Sequence, residues 1–290
     1  MSREDRSTRY AGERPPRRGR TVLWLVLIVI MAAAVGLALA RDALTGDDAS
    51  TAAEVSTAPA QRLLIREGLR REDIAKLLDD ETSISGERYL ALTGPGARGR
   101  ARAHTGKPTS LEGFLFPATY EITAQTTAQE LVDEQLAAYD ANTSQVNYSY
   151  ARSKNLTKYD VLILASMIER EVAVAKERPI VAGVMYNRLK AGMRLDIDAT
   201  VQYAIGEWKP ELTASDLAID SPYNTRRFTG LPPGPISNPG LDSIRAAARP
   251  EKVPYLYYVA RNDGTGRHFF ATTPEEFDAD VAQSKANAGR

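Results

Sequence analysis

Apolar and polar positions divide this chain into an unbroken apolar run, a featureless polar stretch and a long mixed region. The run is residues 21–40, TVLWLVLIVIMAAAVGLALA, uncharged and bounded by Arg20 and Arg41. At a helical rise it reaches about 30 Å, the thickness of a bilayer's hydrocarbon core. It therefore predicts a single-pass transmembrane helix. Arg14, Arg17, Arg18 and Arg20 put residues 1–20 in the cytoplasm and everything after residue 41 outside. Ala38-Leu39-Ala40 has the form of a signal-peptide cleavage site, but the length of the run and its long polar lead fit an anchor better. Residues 41–60 are small and polar without periodicity, which predicts a flexible stalk.

From Gln61 the pattern is mixed. Residues 62–65 (RLLI) predict a short strand, Glu67-Gly68 a turn, and about 69–79 a helix with Leu69, Ile74, Leu77 and Leu78 on one face. Ser85 is placed to start a second helix over 86–92. Residues 113–122, GFLFPATYEI, read as a strand, about 127–140 as a helix, and ANTSQVNYS as a polar connector. Thr157 with Asp160 three residues later forms a helix-start box ahead of an apolar run reaching Val172. Pro179 and Gly192 bracket another helix, with Val181, Val184, Met185 and Leu189 on one face. Residues 221–240, dense in Pro and Gly, predict an ordered loop; Asn238 and Pro239 then start a helix that Pro250 stops. YLYYVA (255–260) and RHFFA (267–271) flank Asn262-Asp263-Gly264 as a β-hairpin, and Thr273, Pro274 and Glu276 open a C-terminal helix. The expected class is α+β, divided into 1–20, the span 21–40, the stalk 41–60, a small α/β portion 61–110 and a larger α+β domain 111–290.

Composition removes several classes of function. Net charge is zero, but residues 1–20 carry +4 and the remainder −4. A mildly acidic body lacks the basic face that nucleic acid requires. There is no cysteine, so disulfides and thiolate chemistry are excluded, and two histidines, His104 and His268, make a histidine-built metal site improbable. No metal or cofactor is expected. Gly94-Pro95-Gly96-Ala97-Arg98-Gly99 fits G-x-G-x-x-G, but it follows a predicted helix and none opens after it, so the dinucleotide reading fails.

Candidate chemistry centres on LILASMIEREV, residues 162–172, which sets Glu169 in an otherwise apolar helix. A buried acid must be paired, kept protonated or turned to a cleft. Its helical neighbours Ala165, Ser166, Val172 and Ala173 are small or apolar, which leaves room for a ligand and raises the carboxyl pKa. A glycosidic oxygen leaves only when protonated, so such an acid suits cleavage of a glycan. The competing reading is a salt bridge to Arg170, Arg188 or Lys190. Glu171, two residues on, points elsewhere and reads as an ion-pair partner.

The segments LEGFLFPATY (111–120), LASMIEREV (164–172), VMYNRL (184–189), GMRLDIDATVQYAIGE (192–207), SPYNT (221–225), TGLPPGPISNPG (229–240), AAARPEKVPYLYYVA (246–260) and GRHFFATTPEEF (266–277) occur in this order in one family. Over about 61–285 the chain resembles the YceG-like endolytic murein transglycosylases. That resemblance implies cleavage of the β-1,4 bond between N-acetylmuramic acid and N-acetylglucosamine within glycan strands. The muramyl 6-hydroxyl attacks its own anomeric carbon and leaves a 1,6-anhydro end. The family's catalytic glutamate is placed on Glu169, as general acid and then base. The resemblance further implies a cleft lined by Asn187, Asp198, Thr200, Tyr223, Asn224 and Thr225, a LysM-like portion here truncated, and peptidoglycan synthases as partners of a membrane-anchored enzyme. Each lining residue also has a local reading: Asp198 as a helix cap, Asn224 in a turn, Tyr223 in the core. Glu112 orients the cleft or forms an internal ion pair, and His268 binds glycan or is a partly buried structural histidine. Asp196 and Ala199 stand where the family commonly has Gln and Pro. The rival from another class is a non-catalytic, membrane-anchored wall-binding scaffold.

Overall fold

The computed structural model describes residues 60–97 and 110–289. The span expected over 21–40, the stalk up to residue 59 and the Arg-rich loop over 98–107 lie outside the described residues. Among those described, no helix is long and apolar enough to cross a membrane. The class is α+β: helices with two small antiparallel sheets.

In chain order, β1 (Gln61–Leu64) leads through the Glu67-Gly68 turn to α1 (Arg71–Glu81) and α2 (Gly86–Thr93). Gly68 has φ +81°, the left-handed backbone this turn needs. Ser85 caps α2 as expected, its hydroxyl accepting from the Arg88 N–H. β2 (Thr119–Ile122) pairs with β1, Leu63 opposite Tyr120, so the first described strand is completed by residues almost sixty positions away. α3 (Ala128–Thr143) starts at a Thr127–Glu130 capping box, and a short α4 (Ser149–Ser153) follows. Two expectations change here. The connector over 141–149 yields its ends to helices, because Thr143 back-bonds to the Tyr139 carbonyl and Asn147 accepts from the Ser149 N–H. The strand over 113–122 exists only from Thr119; before it, Leu111, Phe114 and Leu115 are buried in successive turns rather than alternating.

α5 (Lys158–Glu171) carries the core. Thr157 and Asp160 form its capping box, and every side chain from Val161 to Ile168 is buried. α6 (Arg178–Lys190) begins with Pro179 in its first turn. α7 (Asp198–Ile205) and the single-turn α8 (Ala214–Leu217) precede the turn-rich loop. α9 (Leu241–Ala248) packs most extensively on α5, with Ala246, Ala247 and Ala248 buried. β3 (Tyr257–Ala260) and β4 (His268–Ala271) form the expected hairpin, with α10 (Pro274–Ala288) against both strands.

The turn-rich loop is a structural staple. Asn238, expected to start α9, instead turns inward and leaves Gly240 as the N-cap. Its Oδ1 accepts from the N–H groups of Gly113 (2.8 Å) and Leu115 (3.0 Å), and its Nδ2 donates to the Leu69 carbonyl (3.0 Å) and Glu112 (2.9 Å). This one side chain joins three segments remote in sequence. Gly113 at φ +87° fits beneath Pro235, whose ring carbon would lie 2.6 Å from any Cβ there. Replacing Asn238 by Ala strands two buried N–H groups and should cost about 3 kcal/mol or more, read as a lowered urea midpoint with the slope unchanged.

Candidate active site

Both carboxylates of IEREV lie at the C-terminal end of α5, two residues apart. At about 100° per residue they face opposite ways, so only one can serve a given cleft. The structure separates their roles.

Glu169 is enclosed. Its Oε1 accepts from Arg178 at 3.0 Å, its Oε2 accepts from the Gly240 N–H at 3.0 Å, and its side chain is 5% exposed. The Pro/Gly loop runs along this face: Ile236 N–H donates to the Ser166 hydroxyl and Ser237 donates to the Ser166 carbonyl. Gly240 is required where it passes Glu67, whose carboxylate would collide with any Cβ. In this structure Glu169 is thus held by Arg178 and the Gly240 N–H. The small residues at 165 and 166 admit the loop at close range. The partner also differs from the three cations considered: it is Arg178, whose guanidinium additionally lies 3.8 Å from Glu67 and 4.0 Å from Asp242.

Glu171 was read as an ion-pair partner, and here too the structure differs. It lines a cleft of about 610 Å³ between the start of α7 and the hairpin, with Asp198, Arg226, Tyr258 and His268. No cation pairs with it among the described residues; the Tyr258 hydroxyl donates to its Oε2 at 3.3 Å. Burial raises its pKa to about 7, and the nearby charge of Asp198 adds to the rise against the opposing hydrogen bond from Tyr258. An acid near neutrality at a cleft can both give and take a proton.

The other predicted residues divide. Asp198 is at the cleft, in the first turn of α7 rather than capping it, and pairs with Arg226 at 2.7 Å. His268 is also in the cleft wall, but buried: its Nδ1 is 2.8 Å from Glu177 Oε2, and its ring meets Tyr258 edge-on at 5.4 Å. Thr200 and Thr225 bond each other at 2.9 Å in the interior, where Thr225 also accepts from the Ile197 N–H. They hold the start of α7 and do not reach the cleft. Asn224 is fully buried and donates to the Leu217 and Ile219 carbonyls, the turn-forming role. Tyr223 packs on Tyr203 with ring centroids 4.8 Å apart. Asn187 donates to the Val253 and Tyr255 carbonyls, both at 2.9 Å, on the other side of α6 from the cleft.

Glu112 is the internal acid its second reading described. It accepts from Asn238 and approaches Arg71 Nε at 3.8 Å. Burial pushes its pKa up to about 8, with Glu72 adding to the rise. Arg226 and Tyr258 were not placed at the cleft from sequence, and Arg188 was considered only as a partner of Glu169, although the two-residue offset of Glu171 from Glu169 already marks two faces. Arg188 is spent on structure, donating to the Leu256 and Leu195 carbonyls beneath the cleft. Among the described residues, no cluster of His, Asp or Glu could hold a metal ion.

The chain belongs to the YceG-like family, which matches residues 41–283. An endolytic murein transglycosylase of Streptococcus pneumoniae (strain R6) is 39% identical over 232 residues, covering 75% of this chain and 40% of that protein. One of Bacillus subtilis is 34% identical over 221 residues, covering 72% and 61%. The chain thus spans about half the length of these relatives. A crystal structure of a YceG-like protein from Listeria monocytogenes superposes with a TM-score of 0.66 at 34% identity, covering 75% of each chain.

Two outcomes follow from the geometry. Glu169→Gln should cost about 2–4 kcal/mol of stability by breaking a buried ion pair, while turnover per folded molecule, measured by active-site-normalised assays, persists. Glu112 has a folded pKa above its ordinary value of 4.5. Its contribution to stability is therefore complete below that value and is lost as pH rises through about 8. Glu112→Gln should flatten that decline in melting temperature.

Proposed function

We propose that this protein is an endolytic murein transglycosylase whose proton-transfer group is Glu171. The observation that carries the reading is geometric: Glu171 lines the cleft beside Asp198 and Tyr258 with no ion-pair partner among the described residues, and burial raises its pKa to about 7. In its protonated form Glu171 gives its proton to the glycosidic oxygen between N-acetylmuramic acid and N-acetylglucosamine as the bond to the muramyl anomeric carbon breaks. As carboxylate it then takes the proton of the muramyl 6-hydroxyl while that oxygen bonds to the same carbon. The glucosaminyl fragment leaves with its hydroxyl, the other end closes as a 1,6-anhydro ring, and the acid is restored.

One carboxyl suffices because the nucleophile is part of the substrate and already held near its target. Hydrolytic glycosidases usually need two. The second carboxylate here, Asp198, pairs with Arg226; after burial, its charge is the next contributor to the raised pKa of Glu171. Relatives named as endolytic murein transglycosylases support the substrate class.

The proposal extends to place: residues 21–40 anchor the chain in the membrane with its N-terminus in the cytoplasm. Nascent strands, and the synthases that make them, are then its partners. Removal of residues 1–40 should release the protein from the membrane fraction.

The decisive experiment compares glycan products from wild type, Glu171→Gln and Glu169→Gln. Wild type should leave anhydro ends, and Glu171→Gln should lose about 10²–10⁴-fold in turnover. Retained turnover in Glu171→Gln with loss in folded Glu169→Gln overturns the assignment; reducing ends indicate hydrolysis, and identical products from all three favour a scaffold. Because the acid must start protonated, kcat/KM should fall about tenfold per unit as pH rises above the pKa near 7.

A further inference from the structure

The catalytic cleft leaves the opposite side of α6 unused. There, Tyr186, Asn187 and Lys190 turn away from Arg188, which faces the Glu171 cleft, and line a separate cavity of about 790 Å³. Its walls are held in place. The Tyr186 hydroxyl donates to the Ala247 carbonyl at 2.8 Å, its ring meets Tyr150 at 5.6 Å, and Asn187 ties down the segment that carries Lys252.

Three lysines, Lys154, Lys190 and Lys252, line this cavity from α4's end, α6 and the segment before β3. Among the described residues none of them forms an ion pair with a carboxylate; Lys154 only lies over the Tyr150 ring at 5.4 Å. The single acid in the lining, Asp160, has one oxygen held by the Thr157 N–H and hydroxyl in the α5 cap. Gathering like charges around a concavity with aromatic walls raises the local concentration of anions and gives an apolar ligand body a surface to cover.

We propose that this cavity binds a short acidic peptide, of the kind that each muramyl unit of the substrate polymer bears. The assignment rests on the murein reading of the Glu171 cleft: a strand lying in that cleft carries carboxylate-bearing peptides at regular intervals, and a cationic, tyrosine-lined pocket elsewhere on the domain can take one. Separate ammonium groups suit dispersed carboxylates better than a single compact anion, which planar guanidinium forks grip more closely.

The test uses the intact chain and the peptide Ala-Glu-Ala, with inorganic phosphate as the rival anion, by calorimetry at low and moderate salt. Wild type should bind the peptide in a salt-sensitive way. The triple variant Lys154→Gln, Lys190→Gln, Lys252→Gln should bind it at least tenfold more weakly, while Lys158→Gln, outside the cavity, changes nothing. Equal binding by the triple variant, no binding by wild type, or equal competition by phosphate overturns the proposal. Cleavage of peptide-free glycan, run in parallel, should be unchanged in the triple variant. Normal cleavage without peptide binding sinks this inference alone, whereas peptide binding without cleavage sinks only the catalytic reading.

Discussion

The ion pair between Glu169 and Arg178 fixes the geometry on which the site depends. It is nearly dry, it is completed by the Gly240 N–H, and it clamps the end of α5 against the loop that leads into α9. A buried pair of this kind adds little net stability, but breaking it is costly, so it specifies position more than it strengthens the fold. With that face of α5 locked, the residue two places on is forced to the other side. Glu171 then meets Tyr258, the start of α7 and open space. One acid is held by charge, and burial raises the pKa of its neighbour.

The same logic recurs in the rest of the polar interior. Glu112 and Asn238 hold the 111–115 turns to the loop, and Glu177 holds His268 in the hairpin. Thr200 and Thr225 fix the first turn of α7, which brings Asp198 to the cleft. Most of the polar residues in these motifs therefore build the frame, and few of them line the cleft.

Local signals in the sequence were easy to read. Capping boxes at Thr127, Thr157 and Thr273, and the Asn-Asp-Gly hairpin, encode structure within a few residues, so the helices and β3–β4 follow from them. Long-range chemistry was not legible. Nothing within ten residues of Asn238 reveals that its amide serves Leu69, Glu112, Gly113 and Leu115. The surroundings of Glu169 and Glu171 were not legible for the same reason. Ala165 and Ser166 were read as room for a sugar, but a small residue on a helix is equally a landing site for another backbone, and here Ile236 to Gly240 occupy it. Sequence showed that the two acids face apart; only the packed loop shows which side is closed.

The Asn238 staple also sets an order of events. The Leu69 carbonyl and the N–H groups of Gly113 and Leu115 lack these partners until a side chain well over one hundred positions later has been made. Contacts of such separation are slow to form. During synthesis, the early part of the domain must therefore wait, incompletely packed, for most of the chain to emerge from the ribosome, which makes that interval the point of greatest exposure to proteases and to misassociation.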